Sequence, residues 1–132
     1  MTDTPNSKVA LVAGATGVVG RNLLRHLASL PDWRVVAVSR RKPDIAGDYE
    51  HISVDLLKSA DCQSKLGKVQ GITHVFFAAY IEKPSWAELV PPNLMMLVNL
   101  LDAVEPNSPD LQHVNLMEGT KWYGNHLGPF KT

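Results

Sequence analysis

Several things are scarce in this chain, and each scarcity removes a class of protein. Cys62 is the only cysteine among 132 residues, so no intramolecular disulfide can form and a reducing, cytosolic setting is expected. A surface or half-buried thiol is the expected state of Cys62, since nothing spaced around it suggests a nucleophile. A surplus of one charge is also lacking: 13 basic residues stand against 13 acidic ones. Nucleic acids and anionic membranes favour a basic surplus, so neither is an expected partner. No apolar run approaches the ~20 residues that a membrane span needs. The first seven residues are polar, hold Asp3 and Pro5, and lack the charged-then-apolar order of a signal peptide. A soluble cytoplasmic protein is the expectation. His51, His74 and His113 lie in or beside strand-like runs at no ligand-like spacing, so no metal site is expected.

What is present is a regular alternation of short β-branched runs with helical segments. With 45% hydrophobic residues the chain can bury one core, so residues 1–132 are read as one domain. Lys8–Ala13 predicts a first strand buried on both faces, because it shows no polar alternation. Residues 18–30 predict a helix with Val19, Leu23, Leu27 and Leu30 on one stripe, stopped by Pro31. Residues 34–39 predict a second strand, 40–50 a loop, 51–55 a third strand, 58–68 a weak helix and 73–79 a fourth strand. Residues 80–92 hold Pro84, Pro91 and Pro92 and predict an irregular segment with at most a short helical turn. Residues 93–104 predict a helix on the stripe Leu94, Leu97, Val98, Leu101 and Val104, and residues 111–117 a fifth strand. Met95, Met96 and Met117 are read as core or pocket filling. Strands alternating with helices imply a Rossmann-type α/β fold: a parallel sheet with strand order 3-2-1-4-5.

The chemistry is concentrated where strands end. Gly14-Ala15-Thr16-Gly17-Val18-Val19-Gly20 directly follows the first strand and opens the first helix. Gly14 permits the tight turn, Gly17 lets a pyrophosphate approach the backbone, and Gly20 lets the helix pack closely. That helix offers its N-terminal N–H groups and positive dipole end to phosphates. The competing reading is a glycine-rich turn with no ligand. Ser39-Arg40-Arg41 follows Gly20 by about twenty residues, where an acid would hold the ribose 2′-hydroxyl of NAD. Arginines there point instead to the 2′-phosphate of NADP, which a guanidinium fork can grip with two hydrogen bonds. A solvated basic loop is the plainer alternative.

Asp55 and Leu56 close the third strand, at a place suited to the adenine amino group or to an ordinary strand-end turn. Ala78 and Ala79 end the fourth strand and either leave room for a cofactor ribose or simply pack tightly. Tyr80 follows them and completes the candidate cofactor set of Gly14, Thr16, Gly17, Val18, Val19, Gly20, Ser39, Arg40, Arg41, Asp55, Leu56, Ala78, Ala79 and Tyr80. The last constellation, Gly119-Thr120-Lys121-Trp122-Tyr123-Gly124, leaves the carboxyl end of the fifth strand, where ligands bind in open α/β sheets. Lys121 there can hydrogen-bond a nicotinamide ribose and lower the pKa of a nearby phenol, or simply face solvent.

Together these motifs resemble the extended short-chain dehydrogenase/reductase superfamily, of the NAD-dependent epimerase/dehydratase kind. More narrowly they resemble its progesterone 5β-reductase/iridoid synthase-like branch. The likeness rests on the Gly14–Gly20 loop, Ser39-Arg40-Arg41, Asp55-Leu56, Thr73-His74-Val75-Phe76-Phe77, Asn99-Leu100-Leu101-Asp102-Ala103 and the Lys121 segment. It implies NADPH-dependent reduction of an enone carbon–carbon double bond, or of a carbonyl, with Lys121 as the active-site lysine. The family's catalytic tyrosine lies further along and has no match among these residues. The resemblance therefore implies the N-terminal, NADP-binding part of a larger reductase fold, lacking the substrate lobe and inactive alone. A non-catalytic NADP-binding module or sensor completed by a partner is the alternative. The expected partners are a small-molecule enone or carbonyl substrate and a second copy of the chain, paired through the exposed sheet edge.

Overall fold

The computed structural model describes residues 8–119 together with 127 and 128. Its elements are β1 (Lys8–Ala13), α1 (Val18–Ala28), β2 (Trp33–Ser39), β3 (Glu50–Ser53), α2 (Ser59–Leu66), β4 (His74–Phe77), α3 (Trp86–Val104) and β5 (His113–Leu116). All neighbouring strands are parallel, in the order β3-β2-β1-β4-β5. This is the expected Rossmann-type sheet. The long apolar strands take the centre: β1 pairs with β2 from Lys8↔Trp33 to Ala13↔Val38 and with β4 from Ala10↔His74 to Ala13↔Phe77.

Pleating divides the core in two. Ala10, Val12, Val35 and Ala37 face α1 and meet Leu24 and Leu27. Val9, Leu11, Val36, Val38, Val75 and Phe77 face the other way, against Cys62 and Leu66 of α2 and Met96, Leu100, Ala103 and Val104 of α3. Both faces of β1 are therefore covered, which is why its sequence shows no alternation. β5 differs. Val114 and Leu116 remain 42% and 46% exposed, and no described strand pairs with its outer edge.

Five expectations need correction. Residues 80–92 are not irregular throughout, because α3 already begins at Trp86 and runs through Pro91 and Pro92. Its start is capped by Ser85, within the Ser-x-x-Glu sequence pattern of a capping box: Ser85 Oγ accepts from the Glu88 N–H at 3.3 Å and donates to Glu88 Oε2 at 2.9 Å. Interior proline costs a helix about 3 kcal/mol or more. Here the carbonyls that lose a donor belong to Ala87 and Glu88, both exposed and open to water. The resulting 22-residue stretch 86–107 is long and apolar enough, by length and composition, to cross a membrane. One side of it, however, is packed into the sheet's core.

The stripe expected for α3 holds in part: Val104 is buried and Leu97 and Leu101 pack against the core, but its other members are displaced. The buried positions are Met96, Asn99, Leu100, Ala103 and Val104, while Leu94 and Val98 are exposed. The helix is apolar on most sides, so a 3.6-residue period fits more than one stripe. Val19 leaves the expected stripe of α1 for the same kind of reason: it stands half-exposed at the carboxyl edge of the sheet, and Leu24 is buried instead. Cys62 is fully buried rather than a surface or half-buried thiol, and burial raises its pKa above the usual thiol value. Among the described methionines only Met96 fills the core; Met95 and Met117 are exposed.

The Ser85 cap should carry measurable stability. Ser85→Ala is expected to lower the free energy of unfolding by about 1 kcal/mol in urea titration. An unchanged midpoint would mean that the prolines, not the cap, set the start of α3. His74 sets a pH dependence. Burial, then the proximity of His113 and Lys8, lowers its pKa from the ordinary 6.5. The unfolded chain binds that proton more readily, so His74 contributes stability above pH 6.5 that is lost as pH falls through its folded-state value. Thermal melts of the chain should fall in that acid window, and His74→Gln should flatten the fall.

Candidate functional site

The loop that follows β1 is built by two glycines with different reasons to be glycine. Gly14 has φ +76°, and a Cβ there would sit 2.6 Å from the Ala78 carbonyl and the Ala79 nitrogen. The turn off β1 is therefore pressed against the end of β4, and only glycine fits. A Cβ on Gly20 would collide with the Gly14 carbonyl and reach 3.2 Å from Ala15 Cα. The close approach foreseen for Gly20 is thus to the turn itself. Gly14 N–H donates to the Val38 carbonyl at 3.1 Å, which ties the same turn to the end of β2.

Gly17 is different. It has φ −77°, and its added Cβ would meet nothing nearer than the Gly14 oxygen at 3.5 Å. The fold does not demand glycine there, but Gly17 lines the cleft and is the N-cap of α1. No side chain caps that helix and no acid occupies its first turn. Its end keeps its positive dipole uncompensated, as an anion site requires.

The cleft opens at the carboxyl edge of the sheet and has a volume of about 400 Å3. Gly14, Thr16, Gly17, Val18, Val19, Ser39, Arg40, Asp55, Leu56, Ala78, Ala79 and Tyr80 all line it. Gly20 does not, being buried beneath the turn, and Arg41 lies outside the lining in the adjoining exposed turn. Val38, Val54, Leu57 and Ile81 complete the walls without being among the expected site residues, together with Met96, which was expected to fill core or pocket. Most are apolar strand-end residues whose sequence signal is that of core. Lys121 and its neighbours from Thr120 to Gly124 fall outside the described residues.

Three walls are fixed by side chains that bond backbone. Asp55 N–H donates to Asp61 Oδ2 at 2.8 Å, and Asp55 Oδ1 accepts from the Leu57 N–H at 3.1 Å. The Asp55 N–H and then Lys65 hold the Asp61 carboxyl below the usual carboxylate range. Buried Asn99 donates to the Leu56 carbonyl at 2.8 Å, which locks the strand-end segment onto α3. Asn93 brackets Ile81, accepting from its N–H at 2.9 Å and donating to its carbonyl at 2.8 Å. Tyr80 is exposed, and its hydrogen bond to Glu82 raises its pKa.

Basic residues cluster on the β2 side of the cleft mouth, with Asp55 in the lining beside them. Arg40, Arg41 and Lys42 follow one another, and no acidic side chain pairs with them among the described residues. A pyrophosphate-sized concavity with a bare helix N-terminus and unpaired guanidinium groups fits a phosphorylated dinucleotide.

Sheet order, glycine turn and cleft together define a Rossmann-type domain of the short-chain dehydrogenase/reductase kind. The chain belongs to the NAD dependent epimerase/dehydratase family, whose profile matches residues 10–131. An (S)-8-oxocitronellyl enol synthase from Nepeta cataria is 38% identical over 131 residues, covering 93% of this chain and 33% of that protein. A 3-oxo-Delta(4,5)-steroid 5-beta-reductase from Arabidopsis thaliana is 39% identical over 130 residues, covering 92% of this chain and 32% of that protein. The chain thus spans about a third of the length of the curated relatives it matches. Among solved structures, a glucuronic acid dehydrogenase from Chromohalobacter salexigens superposes with TM-score 0.64 at 20% identity, over 85% of this chain and 41% of that one. A short chain dehydrogenase family protein from Francisella tularensis gives 0.60 at 20% identity, over 76% and 46%.

The two glycine roles can be separated by substitution. Gly20→Ala is expected to destabilise the fold by about 1–3 kcal/mol, because backbone must move to clear the new methyl. Gly17→Ala should leave the melting temperature within a few degrees yet weaken dinucleotide binding by about tenfold. Calorimetric titration beside thermal melts checks both. Equal loss of stability in the two variants would sink the distinction.

Proposed function

We propose that this chain is the cofactor-binding portion of an NADPH-dependent reductase that acts on enone carbon–carbon double bonds or on carbonyls. The observation that carries the cofactor choice is the unpaired Arg40–Arg41 pair beside a cleft floored by the Gly14–Gly20 loop. Two guanidinium groups at the end of β2 repel nothing on NADPH and gain a phosphate dianion, whereas NADH offers them only hydroxyls. The named activities of the relatives, a steroid 5-beta-reductase and an oxocitronellyl enol synthase, support the substrate class.

A bound nicotinamide cofactor supplies hydride to an electrophilic carbon. The chain's own residues bind and orient: α1 faces the pyrophosphate, Ala78 and Ala79 line the cleft with small side chains that leave room for a ribose, and Met96 and Ile81 form its apolar inner wall. Lys121 supports the phenol that stabilises a developing oxyanion. Neither described tyrosine suits that part. Tyr49 donates to the Ile45 carbonyl at 2.8 Å, and the Tyr80 hydroxyl is engaged in a hydrogen bond with Glu82. That observation favours a second reading, a non-catalytic NADP-binding module or sensor completed by a partner.

Both readings predict that NADPH raises the melting temperature of the purified chain, with about 2.7 kcal/mol of stabilisation at a hundredfold excess over Kd. Arg40→Ala with Arg41→Ala should weaken NADPH about 10- to 100-fold and leave NADH nearly unchanged. An unaltered NADPH-to-NADH ratio would defeat the 2′-phosphate assignment. Oxidation of NADPH by the chain with a cyclic enone should be negligible. Turnover that Lys121→Ala abolishes would show instead that these residues suffice for catalysis.

A further inference from the structure

Residues 40–49 follow β2 without any helix or strand, yet side chains from three elements hold their carbonyls. Ser53 Oγ on β3 donates to the Arg40 carbonyl at 2.7 Å. Ser39 Oγ on β2 donates to the Arg41 carbonyl at 2.6 Å. Further along, Arg21 of α1 donates to the Asp44 carbonyl at 3.0 Å and Tyr49 to that of Ile45 at 2.8 Å. The two bonds nearest the cleft clamp the two residues whose guanidinium groups are unpaired.

His51 completes this clamp. Its Nε2 lies 3.1 Å from Ser39 Oγ and 3.3 Å from the Ser39 carbonyl oxygen. A hydroxyl has one proton, and Ser39 gives it to Arg41, so Ser39 Oγ receives from His51. Nε2 therefore carries hydrogen, and the donor chain runs from His51 through Ser39 to the Arg41 carbonyl. The register makes the arrangement possible: Ser39 pairs with Ser53 and Ala37 with His51, so residues 51 and 53 rise on the same face beside Ser39.

We propose that His51 and Ser53 are positioning residues that set cofactor specificity, holding the Arg40–Arg41 turn in the shape that presents both guanidinium groups to the 2′-phosphate. The proposal rests on the 2′-phosphate reading above. Arg40 and Arg41 are exposed, so a carbonyl that loses its clamp is hydrated at little cost to folding. What is lost is preorganisation, since a loosened turn must be ordered again when it binds. Its signature is a selective loss of affinity for the cofactor that carries the phosphate.

The test compares dissociation constants of NADPH and NADH, two ligands that differ only at the 2′ position, on the full chain. His51→Leu combined with Ser53→Ala should weaken NADPH about tenfold and NADH less than about twofold. Thermal melts should place the variant within a few degrees of the parent chain. His51→Gln, whose amide nitrogen keeps a donor, should restore most of the NADPH affinity in an otherwise unaltered chain. Equal weakening of both cofactors, or no weakening of either, overturns the proposal. Arg40→Ala with Arg41→Ala serves as the reference. If it shifts the NADPH-to-NADH ratio and the clamp variant does not, the clamp alone is wrong; if neither shifts it, the 2′-phosphate reading has failed.

Discussion

Gly20 sits so close to the Gly14 carbonyl that no side chain can stand between them, and this contact decides where α1 begins relative to the sheet. Gly14 in turn is pressed onto Ala78 and Ala79 and bonded to the Val38 carbonyl. Three strand ends and one helix end thus meet at a single turn. A side chain at Gly20 would push α1 outward, and one at Gly14 would push the turn off the end of β4; either opens the cleft floor. The N-terminus of α1 would then move away from the edge where its N–H groups can serve a ligand. The apolar layers beneath supply the stability, but they do not fix this placement.

The remaining walls follow one logic, in which a side chain on one element bonds the backbone of a strand-end segment. Asn99 holds Leu56, Asp61 holds Asp55, Asn93 brackets Ile81, and Ser39 and Ser53 hold Arg41 and Arg40. Strand-end segments have no ladder partners of their own, so their polar groups must be satisfied from elsewhere. The same bonds that satisfy them keep the cleft open and shaped without a ligand. They also explain how residues 40–49 manage without a helix, since their carbonyls are met by hydroxyls and by Arg21.

The sheet was legible because its signal is redundant. β1 lies at Lys8–Ala13 as expected, and β2 differs by one residue, since strands buried on both faces announce themselves as unbroken apolar runs. The glycine turn was legible because steric necessity leaves few alternatives at Gly14 and Gly20. α3 was misread at both ends of the argument. Prolines 91 and 92 argue for a break, while the Ser85–Glu88 capping-box pattern argues for a start just before them. The capping pattern stands in the sequence and was the better guide. The buried stripe of α3 was not recoverable, because Leu94 and Leu100 look alike until the sheet chooses between them. Val54 and Ile81 were not legible as site residues for a related cause, since an apolar residue lining a cleft has the same sequence signature as one filling a core.

A chain with equal numbers of acids and bases gives no hint of charge asymmetry, yet the structure distributes its pairs unevenly. Asp32 is bound to Lys8, Glu50 to Arg34 and Asp61 to Lys65, each away from the turn after β2. Exposed pairs of this kind contribute little to stability. Their effect here is on the field: these three acids are engaged away from Arg40, Arg41 and Lys42, and Asp44 and Asp48 in the same turn form no ion pair with them. With no acid in the first turn of α1 either, positive charge accumulates at two points along one edge of the sheet. An anion with charge at two separated places matches that edge better than a single phosphate does. A pyrophosphate over the helix end and a further phosphate at the β2 turn give such a pattern, so affinity for the whole dinucleotide depends on how rigidly the fold holds those two points apart.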